Sequence, residues 1–196
     1  MSDESGLSIP VLLGSVRRDR VGIRAARLLM TALAARGHRP ELIDPLVEQL
    51  PLLDRMYKEH PKGQAPTNLE RLAELYRGAD GFVIVSGEYN NGIPPALKNL
   101  LDHFLEEYFW RPSAIVCYSP GQFGGVRAAM QLRMTLAELG MSSIPSIFPI
   151  PRITQALDEQ GHPLETWVES RLDRFLGELC WYARAMRHER TEGTPY

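Results

Sequence analysis

Three short segments concentrate the residue types that hold an anion or a flat heterocycle. The first is Gly14-Ser15-Val16-Arg17-Arg18-Asp19-Arg20-Val21-Gly22. An apolar run enters it and a helical pattern leaves it. A helix N-terminus presents unpaired N–H groups and a partial positive charge, so it holds phosphate well. Ser15 adds a hydroxyl donor, and Arg17, Arg18 and Arg20 add positive charge that can grip phosphate through two N–H groups at once. The bland alternative is a Gly-Ser turn followed by solvated arginines, and its place after the first apolar run argues against that. The segment lacks the Gly-x-Gly-x-x-Gly of a dinucleotide fold and the Gly-Lys-Ser/Thr of a P-loop. A phospho-receiver domain would carry acidic residues here.

The second segment is Ser86-Gly87-Glu88-Tyr89-Asn90-Asn91-Gly92-Ile93-Pro94-Pro95. Tyr89 offers a flat surface, while Asn90, Asn91 and Gly92 tolerate unusual backbone angles. The third is Ser119-Pro120-Gly121-Gln122-Phe123-Gly124-Gly125. Its three glycines would let a planar group approach the backbone, whose N–H and C=O groups could read the edge of a heterocycle. A plain turn needs one glycine, not three. Together the segments describe a ligand with a phosphate at one end and a planar polar ring at the other. That is a mononucleotide, and flavin is the obvious candidate.

Five strand–helix alternations must position these segments. Strands are expected at Ser8–Leu13, Arg39–Ile43, 81–85, 113–118 and within 141–148, the last broken by Pro145. The unalternating runs at 81–85 and 113–118 suit strands buried on both faces of a parallel sheet. Helical spacing predicts helices at 21–36, 68–77 with Thr67 as cap, 95–108, 125–139 and 166–187, the last with Val168, Leu172, Phe175, Leu176 and Leu179 on one stripe. Segment 44–67 holds four prolines and reads as a long loop, with one helical turn near 53–57. Loops of that length in compact domains are usually functional or interfacial. One domain over 1–196 is expected, with tails at 1–7 and 188–196. In an open parallel sheet the ligand lies beyond the carboxyl ends of the strands, where the winding reverses. The three segments follow the first, third and fourth strands.

Bulk composition excludes several alternatives. At 44% hydrophobic and 23% charged, the 196 residues suit one ordinary globular domain. A formal charge of −2 argues against nucleic acid or an anionic membrane as main partner. No window approaches the ~20 apolar residues of a membrane span. The polar, acidic start lacks the pattern of a signal peptide. Cys117 and Cys180 both sit in apolar patterns and are expected as reduced core thiols, so a cytoplasmic location is expected. The five histidines show no ligand spacing, and no metal site is expected. Phe104, Tyr108, Phe109 and Trp110 crowd one helix end, with core packing the first reading and a dimer interface the second.

The three segments resemble those of the NADPH-dependent FMN reductase family of flavodoxin-like proteins, which includes chromate, quinone and azo reductases. Gly14-Ser15-Val16-Arg17 is similar to its Gly-Ser-x-Arg phosphate loop. Gly87-Glu88-Tyr89-Asn90, with Ile93-Pro94-Pro95-Ala96-Leu97-Lys98-Asn99 and Asp102, is similar to its Pro-Glu-Tyr-Asn…Ile-Pro…Leu-Lys-Asn…Asp signature. Ser119 with Gly124-Gly125-Val126-Arg127-Ala128 is similar to its third loop. The likeness runs in register from about residue 9 to 148. There are departures: Gly87 replaces the family's proline, and Arg20 and Gly22 stand where many members carry Ser or Asn.

The resemblance implies a flavodoxin-like three-layer α/β sandwich whose five-stranded parallel sheet has the order 2-1-3-4-5. It implies FMN as cofactor and NADPH or NADH as electron donor. Ser15, Arg17, Arg20, Val21 and Gly22 would then hold the phosphate end. Gly87, Glu88, Tyr89, Asn90 and Asn91 would line the ring, largely through backbone, and Ser119, Gly121, Gly124 and Gly125 would approach its pyrimidine portion. No catalytic side chain is expected, because the cofactor carries the hard chemistry. The implied activity is NAD(P)H oxidation coupled to a small acceptor: a quinone, flavin, azo compound or metal oxyanion. A homodimer or homotetramer is implied. The alternatives are an electron carrier serving a protein partner, or a flavin-binding sensor without turnover.

Overall fold

The computed structural model describes residues 6–196. Five parallel strands form one sheet in the order β2-β1-β3-β4-β5: β1 (Ser8–Leu13), β2 (Arg39–Ile43), β3 (Phe82–Ser86), β4 (Arg111–Tyr118) and β5 (Met141–Ile150). The expected order is therefore present, and the winding reverses between β1 and β3. Seven α-helices connect and cover the strands: α1 (Gly22–Ala35), α2 (Pro45–Glu48), α3 (Thr67–Arg77), α4 (Pro95–Asp102), α5 (Val126–Glu138), α6 (Ile153–Ala156) and α7 (Thr166–Glu192).

Alternation of side chains along each strand divides the core in two. Val83, Val85 and Val116 face α1 and α7, while Phe82, Ile84, Ile115 and Cys117 face α3, α4 and α5. All five apolar residues of the 166–187 stripe are buried on the first face. On the second face Tyr76, Phe82, Phe104 and Tyr108 pack ring against ring, with centroids 4.9–6.3 Å apart. Phe104 and Tyr108 are thus core residues, whereas Phe109 and Trp110 are half-buried.

Several boundaries differ from the sequence reading. Pro145 does not end β5: the strand runs to Ile150, with a register shift opposite Ser113 and Ile115. An edge strand accommodates proline at such an irregularity because no ladder hydrogen bond is lost. Arg133 braces it by donating to the carbonyls of Ile144 and Pro145. The helix expected over 95–108 stops at Asp102 and resumes as a 3-10 turn at Glu106–Tyr108. Thr67 is the first residue of α3 rather than its cap, which is Pro66. The 44–67 segment holds α2 and a 3-10 turn at Tyr57–Glu59.

The expected tails are also different where described. Residues 1–5 of the first lie outside the described residues, but Leu7 is fully buried. Helix α7 continues through 188–192, because Arg190 donates to the Trp110 carbonyl at 2.9 Å and to Asp80 at 3.3 Å. The Tyr196 ring then packs at a tilt against that of Trp110, with centroids 4.8 Å apart.

Candidate functional site

The loops after β1, β3 and β4 meet at the carboxyl edge of the sheet. Gly14 fixes the first in place. Its N–H donates to the Val85 carbonyl at 2.8 Å, and a Cβ there would come 2.9 Å from Leu97 and 3.0 Å from the Val85 oxygen. The chain after β1 can therefore lie against β3 and α4 only with glycine at this turn.

Ser15 is buried at the base of a cleft of about 70 Å³ that it lines with Arg17, Arg20, Gly87, Tyr89 and Tyr118. Helix α1 opens into the same region. Its N-cap is Val21, which has no side-chain acceptor to offer, so the leading N–H groups of α1 have no side-chain cap. Arg17 is exposed, and its guanidinium makes no hydrogen bond or ion pair among the described residues. An uncapped helix N-terminus beside a hydroxyl and an uncommitted guanidinium is a phosphate-binding set.

Arg20 does something other than expected. Its guanidinium is occupied by both carboxylate oxygens of Asp44, one at 2.5 Å, and by the Ser15 carbonyl at 3.0 Å. On the cleft wall, Arg20 ties the loop to the end of β2. Asp44 stands at the end of β2, where its side chain also caps α2 through the Leu46 N–H at 3.0 Å. Asp44 escaped the sequence reading. The Asp-Pro pair, a cap residue followed by proline at the first helical position, was the available signal.

The second loop turns tightly at Tyr89-Asn90-Asn91-Gly92, closed by reciprocal backbone bonds of 3.0 and 2.9 Å between Tyr89 and Gly92. Asn90 and Asn91 take φ of 50° and 67°, left-handed values that asparagine adopts more readily than other side chains. Both are exposed on the turn and serve its shape. Glu88 lines the cleft but its carboxylate is committed to α5: Oε2 accepts from the backbone N–H groups of Arg127 at 3.0 Å and Ala128 at 3.3 Å, and Oε1 from the Arg127 side chain. The start of α5 is thus capped by a carboxylate, while the start of α1 is left open to an anion. Tyr89 is left half-buried on the cleft wall.

The three glycines of the third loop have different reasons. Gly124 and Gly125 have φ of 61° and 78°, and a Cβ at Gly125 would lie 2.8 Å from the Tyr118 oxygen. They are needed by the chain's own turn into α5. At Gly121 a Cβ would meet only the Ser119 hydroxyl, at 4.0 Å, so this glycine alone leaves an open face. Ser119 fixes that segment, its hydroxyl donating to the Gly121 carbonyl at 3.0 Å and its carbonyl accepting from Ile153.

Tyr118, the last residue of β4, was read as strand core and is the residue the sequence reading missed in the cleft. It is 6% exposed. Burial pushes its phenol up from the ordinary tyrosine value, and a hydrogen bond with the Ser15 side chain acts against that. Cys117, beside it but facing α5, is pushed to about 12 by burial and by Glu88 and is an inert thiol. Among the described residues no three His, Cys, Asp or Glu side chains group as metal ligands, and no helix is long and apolar enough to cross a membrane.

The donor set and the open face at Gly121 are of the kind FMN needs: Ser15, Arg17 and the α1 N-terminus would hold its phosphate, and the second and third loops would flank its ring. Comparison with known proteins gives the family. The profile of the NADPH-dependent FMN reductase family matches residues 7–155. A quinone reductase of Pseudomonas putida is 31% identical over 140 residues, covering 68% of this chain and 72% of that one. A quinone reductase of Escherichia coli is 34% identical over 137 residues, covering 68% and 71%. Among solved structures, the flavoenzyme NAD(P)H:(acceptor) oxidoreductase FerB of Paracoccus denitrificans superposes with a TM-score of 0.69 at 19% identity, over 93% of this chain and 98% of that one. This chain therefore belongs to the NADPH-dependent FMN reductase family, oxidoreductases that use FMN and NAD(P)H on a flavodoxin-like fold.

Proposed function

We propose that this enzyme passes electrons from NAD(P)H, through FMN held at the β1, β3 and β4 loops, to a small acceptor of the quinone class. The observation that carries the reading is the pairing of an uncapped α1 N-terminus with Ser15 and the uncommitted guanidinium of Arg17. Two relatives above 30% identity that are quinone reductases support the acceptor class. When bound, FMN supplies the two-electron chemistry between nicotinamide and acceptor. The protein's part is to hold and orient. Arg17 and the α1 N–H groups neutralise the phosphate, Asp44 and Arg20 fix the loop that presents them, and Glu88 ties the second loop to α5 so that the ring pocket keeps its width. Gly121 keeps one side open for donor and acceptor to alternate.

The proposal includes a homodimer. Val16 and Leu52 are exposed on a 300 Å³ groove between α4 and the 45–53 segment, and Leu46, Val47 and Leu53 are exposed along that segment. Apolar exposure of that kind is usual at interfaces. A cytoplasmic location belongs with it, since both cysteines are unpaired and buried. The test is steady-state oxidation of NADPH and NADH by the FMN-loaded protein against a panel of quinones, azo dyes, chromate and free flavin. Quinone turnover exceeding the others is the expected result. Turnover confined to a protein acceptor would replace the proposal with an electron-carrier role.

A further inference from the structure

Two of the three departures from the family pattern, Gly22 and Gly87, face one residue. The Tyr118 ring leaves β4 on the α1 side of the sheet, and its tip lies directly over Gly22, the first residue of α1. A Cβ built on Gly22 would land on the Tyr118 hydroxyl and Cζ and would sit 2.7 Å from Cε1. On the opposite flank, a Cβ at Gly87 would come 3.2 Å from the hydroxyl and 3.3 Å from Cζ. Gly22 is not in the left-handed region, nor is Gly87, so backbone conformation does not call for glycine at either position. The phenol does at Gly22, where a Cβ would collide with it, while at Gly87 a Cβ would only crowd it. The ring lies between the start of α1 and the start of the second loop.

That places a hydroxyl where a side chain at position 22 would otherwise be, beside Ser15 and Arg17 in the cleft. Burial keeps the phenol protonated across the working pH range, so it remains an O–H donor. A neutral O–H aimed at an anionic phosphate makes a charge-assisted hydrogen bond, stronger than one between neutral partners. We propose that the Tyr118 hydroxyl is a ligand of the FMN phosphate, taking the place of the Ser or Asn side chain absent at position 22, and that Gly22, Gly87 and Tyr118 form one alternative phosphate grip. The proposal rests on the reading of this cleft as the FMN site.

Flavin fluorescence titration of the flavin-free protein tests it with two ligands, FMN and riboflavin, which differ by the phosphate alone. Tyr118→Phe is expected to weaken FMN about ten- to a hundredfold, the range of a lost hydrogen bond to a charged group. Its riboflavin affinity should match wild type, while its flavin-free Tm should fall slightly, because the hydrogen bond with Ser15 is lost. Gly22→Ser is expected to weaken FMN by displacing the ring, and Gly22→Ser with Tyr118→Ala to regain most of that loss, because the new hydroxyl then has room. Tyr118→Phe binding FMN as tightly as wild type, or more tightly, would overturn the proposal, as would equal losses for FMN and riboflavin. A wild-type protein that binds neither flavin overturns the functional reading itself and this proposal with it.

Discussion

Glu88 and Arg127 join two loops that the chain separates by 39 positions. The Glu88 carboxylate accepts the Arg127 backbone N–H at 3.0 Å and its guanidinium at 3.2 Å. The carboxylate is the cap that Gly125 cannot provide for α5, and it sits at the end of a helix dipole that favours negative charge. The second loop, which walls the cleft with Tyr89, is thereby anchored to a helix packed in the core.

Glu88→Ala should cost about 1 kcal/mol, the usual effect of removing a helix cap, or about 2–4 °C in Tm for a chain of this size. Glu88→Gln should cost less, since an amide oxygen can still accept. Thermal melts of the flavin-free protein check this. A Glu88→Ala variant that melts with wild type would show the cap to be idle.

Arg17→Ala should weaken FMN by about 1.5–3 kcal/mol while leaving the flavin-free Tm unchanged. The side chain is exposed and makes no bond among the described residues, so only the ligand would miss it. The difference between wild type and variant should shrink as salt is raised, because exposed charges are screened. Isothermal titration with FMN at two salt concentrations measures both effects.

Arg20 should behave oppositely. Its side chain and that of Asp44 are 15% and 9% exposed, so Arg20→Ala leaves a largely buried carboxylate without its partner. A loss of about 1–3 kcal/mol in flavin-free stability is expected, and Asp44→Ala should lose stability too, with a smaller effect in the Arg20→Ala, Asp44→Ala double variant than the single losses sum to. Denaturant melts of the four proteins close this cycle. Additive losses would show that the two side chains do not depend on each other.

His38 is expected to give stability a pH dependence in the neutral range. The Leu7 N–H donates to its Nδ1 at 3.3 Å, which leaves the proton on Nε2, 3.1 Å from the Cys180 sulfur. Burial, then Arg184, Arg36 and Arg187, lower its pKa from 6.5, with Asp80 acting against them. The unfolded chain therefore takes up a proton at higher pH than the folded one. The stability associated with neutral His38 is complete above 6.5 and is lost as pH falls through 6.5 toward the lowered folded value. Urea midpoints at pH 7.5 and 5.5 should diverge for wild type and much less for His38→Gln. Parallel losses in the two proteins would remove His38 as the cause.

The parallel strands and the three loops were legible because period, strand burial and loop chemistry each act locally, whereas the strand order 2-1-3-4-5 came with the family resemblance. What escaped was set by contacts across the chain. The pairing of Arg20 with Asp44 was hidden because nothing near Arg20 in sequence shows that Asp44, at the end of the neighbouring strand, would bind its guanidinium. Tyr118 looked like strand core because its apolar neighbours hide that the last residue of β4 faces the first residue of α1. The 188–192 segment looked like a polar tail because its anchor, Arg190, binds the Trp110 carbonyl from 80 positions away. The left-handed turn that requires Gly124 and Gly125 was likewise hidden, since the sequence alone does not give their backbone angles.

The central claim is that this cleft holds FMN and lets NAD(P)H reduce it. The direct measurement is an anaerobic titration of the FMN-reconstituted protein with NADPH and with NADH, followed by addition of a quinone. The expected result is loss of the oxidised-flavin absorbance at one equivalent of nucleotide and its full return with the quinone. Bound flavin that stays oxidised under excess of either nucleotide, or a protein that takes up no FMN, would contradict it.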